Sequence, residues 1–445
     1  MMNTPIYDFV KKYAESECAR FHMPGHKGKS FLGCESLDIT EISGADVLYS
    51  PDGIIAQSEN NATALFKTGH TFYSTEGSTL AIKAMLALIK KRSADKKVTV
   101  LAARNAHKAF IYACALLDID VEWIYSTEYD HLCSCKISPS SLSDSIKTYT
   151  PDAVYLTSPD YLGTVLDISG LATVCHSNGI PLLVDNAHGA YLAFTEPNAH
   201  PIQLGADMCC DSAHKTLPVL TGGAYLHVSK EFDASERDVR NALSLFASTS
   251  PSYLILQSLD LCNSYLSNGY ARLLAEHIEK LEVLRSRLAE IGFPTEHSEP
   301  LKLVFSRKKC SFDGNTLASY LRSNKIESEF ADRDTLVLMS TPENTDGELE
   351  ALFDALSRIE RKSIPFSEQT PPRFEVPRQI FSLREAMLAS SETIDVKCSL
   401  GRVCAAPTVS CPPAIPIVMS GEQINESAIE LMLYYGINEV DVVKE

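Results

Sequence analysis

Between about residues 69 and 230, short apolar runs alternate with stretches of helical periodicity, and this alternation restricts the fold more than any other feature. Val98–Ala102, Val121–Tyr125, Ala153–Thr157, Pro181–Asp185, Met208–Asp211 and Ala224–Val228 read as strands. Most lack polar alternation, as expected for strands covered on both faces. Helices are expected over Thr79–Lys91, Lys108–Leu117 and Ile168–Asn178. The first is apolar nearly all round from Leu80 to Ile89 and closes on Lys90, Lys91 and Arg92, a favourable charge sign for a helix C-terminus. The pattern predicts an α/β domain with a mostly parallel sheet.

Beyond it, Tyr253–Ser267 and Gly269–Glu290 read as longer helices. Strands at Leu301–Ser306 and Thr335–Met339 and a helix over Asp346–Lys362 follow, with a Pro- and Ser-rich crossing loop at Lys362–Pro377. These readings divide the 445 residues into an N-terminal arm (1–50), a large cofactor-binding domain (51–284) and a smaller α+β C-terminal domain (285–445). The length is ample for two cores.

Composition narrows the class of partner. Lys and Arg total 40 against 57 Asp and Glu, a net charge of −17, which argues against nucleic acid or an anionic membrane and is compatible with a cationic small molecule. No apolar run approaches a membrane span, and the first twenty residues carry charges throughout, so neither a membrane segment nor a signal peptide is expected. The 13 cysteines include Cys133/Cys135 and Cys209-Cys210, pairs spaced too closely for a zinc ribbon. They point to unpaired thiols in a reducing cytoplasm and to no structural metal.

Chemistry concentrates in VDNAHG (Val184 to Gly189) and DSAHKTL (Asp211 to Leu217), each at the end of an expected strand, where open α/β sheets gather ligands. An acid at one strand end and a lysine thirty residues on, at another, suit pyridoxal 5'-phosphate. Lys215 would bind the cofactor's aldehyde, and Asp185 would pair with the protonated ring nitrogen. His188 would lie near the reacting amine or orient the acid. Gly77, Ser78 and Thr79 open the first expected helix and offer a phosphate cup, with Ser212 and His214 as further phosphate candidates. His107, in RNAHK after a strand, would stack on the planar cofactor. The GKS of Pro24 to Ser30 is not a nucleotide loop, because Met23 stands where a glycine is required.

With these residues in place, the chain resembles the ornithine/lysine/arginine decarboxylases among the fold-type-I pyridoxal-phosphate enzymes, and is most similar to their short bacterial branch. The resemblance runs through FHMPGHKGK, LDITEISGADVLYSPDG, GSTLAIKAM, RNAHKA, TSPDYLGTVLDI, VDNAHGAY, SAHKTLPVLTGGAYLHV, STSPSYLILQSLD and CPPAIPIVMSGE. It implies an aspartate-aminotransferase-like large domain and a homodimer, in which Ser248 or Thr249 completes the phosphate site from the neighbouring subunit. It also implies Ala187 against the ring, and an entrance shaped by the arm and CPPAIP. ADVLY at Ala45 to Tyr49 departs from the family's DDLH-like pattern, a difference in a substrate-facing segment.

The implied reaction is decarboxylation of a basic L-amino acid, arginine or lysine before ornithine, to its amine for polyamine biosynthesis. Lys215, or His214 through it, would protonate Cα. A fold-type-I aminotransferase or lyase is the alternative, with Arg402 available for an α-carboxylate. A non-catalytic binding or regulatory homologue is an alternative of another class.

Overall fold

The apolar runs form strands: β1 (His70–Ser74), β2 (Val98–Ala103), β3 (Ile119–Ile124), β4 (Ala153–Thr157), β5 (Leu182–Asp185), β6 (Met208–Asp211) and β7 (Ala224–Val228). They are seen in a computed structural model that describes residues 2–93, 96–126, 131–296, 298–359, 371–407 and 415–444. The chain groups into two compact units that interleave along the sequence. One comprises Met1–Lys96, Leu142–Ser158 and Asp167–Leu274; the other comprises Lys97–Ser141, Pro159–Leu166 and Ala275–Glu445.

In the first unit the strands lie in the order β1, β7, β6, β5, β4. The β4–β5 and β5–β6 pairs are parallel, while β7 runs antiparallel to both β6 and β1. Every residue of β5 and β6 is buried, which accounts for their unbroken apolar character before the closing aspartates. The helix Gly77–Arg92 packs on β6, β7 and the helix Glu236–Ser244, burying Leu80, Ile82, Met85 and Leu86. β1 escaped the sequence reading because it carries polar residues inward. Thr71 is buried with its hydroxyl 2.8 Å from His227 Nδ1, and buried Ser74 donates to the Gly77 carbonyl at 2.9 Å.

The second unit holds the parallel pair β2–β3, in register from Val98↔Ile119 to Ala103↔Ile124. It also holds an antiparallel sheet of β8 (Lys302–Ser306), β10 (Thr335–Met339) and β9 (Phe330–Ala331), in that order. A further antiparallel pair joins Ser391–Asp395 to Glu439–Val443 over a core that includes Val396, Ile417, Leu431 and Val442. The helix expected over Asp346–Lys362 is observed from Asp346 to Ser357. Residues 360–370, which take in the end of that expected helix and the first part of the expected crossing loop, lie outside the described residues, as do 411–414 of the CPPAIP segment.

Among the described residues no cysteine is paired in a disulfide; Cys18 and Cys398 are exposed and Cys34 half-buried, and the others are buried. No helix among them is long and apolar enough to cross a membrane.

Candidate active site

β5 and β6 run side by side and end together, with Asp185 in register with Cys210. Asp185 is buried. Past it the chain turns tightly: Asn186 N donates to the Cys210 carbonyl at 3.0 Å, and Gly189 N donates to the Asn186 carbonyl at 2.8 Å. Glycine is required at 189 because a Cβ there would overlap Asn186 Oδ1 and come within 2.8 Å of Leu192 Cδ1.

This turn carries buried His188 to the lysine. His188 Nε2 lies 3.0 Å from Lys215 Nζ, which projects from the single helical turn Ala213–Thr216 just after β6. One of these nitrogens donates and the other accepts, so the contact places a single shared proton between an amine and an imidazole. Asp185, His188 and Lys215 all belong to the first unit.

The expected phosphate residues gather at the start of the helix Gly77–Arg92. Gly77 adopts φ +69°, with open space where a side chain would stand, and its N–H donates to the Gly222 carbonyl at 2.7 Å. A positive φ and this open space suit glycine at the mouth of an anion cup. Ser212 Oγ donates to Ser78 Oγ at 2.9 Å, which brings the end of β6 onto the first turn of the helix. Thr79 is exposed on that turn. The His214 ring points Nδ1 at the Gly223 carbonyl, 2.9 Å away, so Nδ1 bears the proton. Ser248 is exposed, and its N–H donates to Glu76 Oε1 at 2.7 Å, next to Gly77 in the same chain. His107 belongs to the second unit, where it caps the helix Lys108–Leu117 by accepting from Ala109 N at 3.1 Å.

Behind the lysine lies a buried network to which the sequence reading gave no role. Asp211, the last residue of β6, accepts from Asn186 Nδ2 at 2.6 Å, and its Oδ2 accepts from His200 Nε2 and His227 Nε2, both at 3.1 Å. Burial opposes ionisation of Asp211, but the two imidazoles outweigh it and hold the carboxyl well below its usual range. Burial likewise keeps His227 below the ordinary histidine value against the pull of Asp211. His200, Cys209 and Asp211 bring ligand-type atoms close together, but the imidazole-to-carboxylate hydrogen bonds account for the Asp211–His200 contact without an ion. The available signal was the pairing of Asp211 with two histidines on neighbouring segments, which becomes visible only once β6 and β7 are in register.

Comparison with known proteins gives this geometry its context. Residues 4–307 match the family model described as Orn/Lys/Arg decarboxylase, major domain. An arginine decarboxylase of Bacillus subtilis is 30% identical over 462 aligned positions, covering 96% of this chain and 92% of that protein. The crystal structure of the Francisella novicida lysine decarboxylase LdcF superposes with a TM-score of 0.83 at 16% identity, covering 99% of this chain and 81% of that one. The serine palmitoyltransferase of Sphingomonas wittichii is more distant, with a TM-score of 0.57 at 14% identity, covering 82% of this chain and 86% of that one. The structural likenesses establish the fold-type-I architecture with its large, mostly parallel sheet. With the family model spanning most of the sequence, the chain belongs to the Orn/Lys/Arg decarboxylase family, the pyridoxal-phosphate-dependent decarboxylases of basic amino acids.

Proposed function

We propose that this chain converts arginine or lysine, before ornithine, to the corresponding amine in polyamine biosynthesis. The observation that carries the reading is Lys215 Nζ at 3.0 Å from His188 Nε2, on the turn that follows buried Asp185. The names of the relatives, arginine decarboxylase and lysine decarboxylase, support the substrate class.

The residues present fit pyridoxal phosphate by donor chemistry. Lys215 offers a primary amine for the aldehyde, and Asp185 a dry carboxylate for the ring nitrogen. The paired hydroxyls of Ser78 and Ser212 stand at the N-terminus of a 16-residue helix, a setting for a phosphate. Gly77, Thr79 and His214 complete that set within the first unit, with Ser248 assigned to it from the neighbouring subunit. When bound, the cofactor supplies an electron sink for the bond to the departing carboxylate. Lys215 Nζ then delivers a proton to the substrate Cα, and His188 Nε2 exchanges that proton with Nζ. The burial of His188 and Asp185 keeps water from competing for it.

We assign a homodimer to this site. Phe21, Phe31 and Leu32 on the arm are 97%, 79% and 90% exposed. The arm is nonetheless well tied: Arg20 donates to the Glu35, Ser36 and Asp38 carbonyls, and the Glu35 carboxylate collects the N–H groups of Phe31, Leu32 and Gly33. Ordered apolar groups at this exposure call for a covering surface, and a second copy supplies it. The unpaired thiols fit a cytoplasmic setting. The aminotransferase alternative would call on Arg402, whose Nη2 donates to Glu392 Oε1 at 2.8 Å and to the Val443 carbonyl at 2.9 Å.

The test is an assay of the purified chain, loaded with pyridoxal phosphate, against arginine, lysine and ornithine. Amine and carbon dioxide from arginine or lysine are expected, with loss of turnover in Lys215→Ala. No amine from any of the three overturns the proposal, and keto-acid-dependent turnover without carbon dioxide would replace it with transamination.

A further inference from the structure

Asp185 is held from both neighbouring strands. Cys210 is its direct register partner on β6, and on β4 Tyr155 lies two residues before Thr157, the partner of Asp185 on that side. Side chains two apart on a strand share a face, so Tyr155, Asp185 and Cys210 emerge on the same side of the sheet. The Tyr155 hydroxyl donates to Asp185 Oδ2 at 3.0 Å, while Oδ1 accepts from Ala187 N at 3.2 Å and from the Cys210 thiol at 3.4 Å. Tyr155 and Cys210 are both fully buried. Burial, with the Asp185 charge beside it, pushes the Cys210 thiol well above its ordinary range, so it remains a donor. A carboxylate oxygen offers about two acceptor directions. Among the described residues, Oδ1 therefore has both directions filled and Oδ2 has one filled.

We propose that Tyr155 and Cys210 are positioning residues that fix the Asp185 carboxylate and leave one acceptor direction, on Oδ2, for the ring N–H of the cofactor. This rests on the assignment of Asp185 as partner of the ring nitrogen, made under the proposed function. Tyr155 then holds Asp185 Oδ2 from one side in a dry environment, and Cys210 stops the carboxylate from rotating about its Cβ–Cγ bond. Both act on cofactor binding through one atom, the ring nitrogen, and this distinguishes them from residues that only fill the core.

Equilibrium binding of pyridoxal phosphate and of its 1-deaza analogue, which has C–H in place of the ring nitrogen, to the apoenzyme separates the possibilities. Tyr155→Phe is expected to weaken pyridoxal phosphate about tenfold, the size of one charge-assisted hydrogen bond, and to change the 1-deaza analogue by no more than about twofold. Cys210→Ala is expected to show the same selectivity at smaller size, with Cys210→Ser, which keeps a donor, restoring most of it. Equal weakening of both ligands by Tyr155→Phe and by Cys210→Ala means a structural role and overturns the proposal, as does no weakening of either. If Tyr155→Phe does not fold, as judged by the circular dichroism of the apoenzyme, the Cys210 pair decides alone. Asp185→Asn tests the parent assignment: if it retains the wild-type preference for pyridoxal phosphate over the analogue, that assignment fails. If Asp185→Asn abolishes the preference while Tyr155→Phe and Cys210→Ala leave it intact, only the present proposal fails.

Discussion

The Asn186 amide donates to the Asp211 carboxylate at 2.6 Å, joining the residue after one strand end to the last residue of the adjacent strand. Asp185 immediately precedes the first of these residues, and Ser212 and Lys215 follow the second. The bond therefore spans the two segments on which the proposed chemistry depends. Because Asp211 also receives His200 and His227, its loss strands several buried donors at once. Asn186→Ala should cost about 1.5–3 kcal/mol, one hydrogen bond to a charged group. Asp211→Ala should cost more, about 3–5 kcal/mol, since three buried donors lose their shared acceptor at once. Denaturant midpoints of the two apo variants measure both, and equal losses would mean that the histidines contribute nothing.

The same network sets a dependence on pH. His227 is held neutral by burial, whereas the unfolded chain takes up a proton near pH 6.5. A histidine with a lowered folded pKa contributes stability that is full above its unfolded value and lost as the pH falls below it. Asp211, also lowered, contributes stability that is full above about pH 3.9 and lost on further acidification. The contribution of this network to stability is therefore expected to decline below about pH 6.5 and again below about pH 4. His227→Gln should shrink the first decline, as followed by urea midpoints at pH 7.5 and 5.5.

His188 shares its proton with Lys215, so its replacement should affect proton delivery more than binding. His188→Gln is expected to lower kcat by about a hundredfold or more, within the range of general acid–base contributions, while KM for the amino acid moves little. Steady-state kinetics on arginine and lysine decide this. A rise in KM with unchanged kcat would assign His188 to substrate binding instead.

Gly189 has no space for a methyl group. Gly189→Ala would press against Asn186 Oδ1 and Leu192 Cδ1, and overpacking of this kind costs roughly 1–3 kcal/mol. Thermal denaturation should show a lowered Tm. Activity should fall as well, because the displaced turn carries His188.

Much of the fold was legible from hydropathy alone. β4, β5, β6 and β7 fall on the unbroken apolar runs because both faces of each are covered. β1 was hidden because Thr71 and Ser74 are buried as hydrogen-bonded polar groups, which no hydropathy pattern records. The antiparallel setting of β7 depends on pairing between strands, and a list of segments does not contain it. At the candidate site, the placement of Asp185, His188 and Lys215 was readable because each lies at or just past a strand end. The contacts of Tyr155, Cys210 and Asp211 were not, since they depend on which residues of separate strands come into register. His107 was legible as a residue at a helix start, and the structure places it there as the cap.

The distribution of thiols turns the protein into its own reporter. Among the described residues, one exposed cysteine falls in each unit, Cys18 in the first and Cys398 in the second, while most of the others are sealed in the core. A thiol-reactive dye should label these two at once and leave strand residues such as Cys209 and Cys210 untouched until β6 opens. The order in which buried sulfurs become reactive under mild denaturant would then trace, residue by residue, which part of the active-site scaffold gives way first.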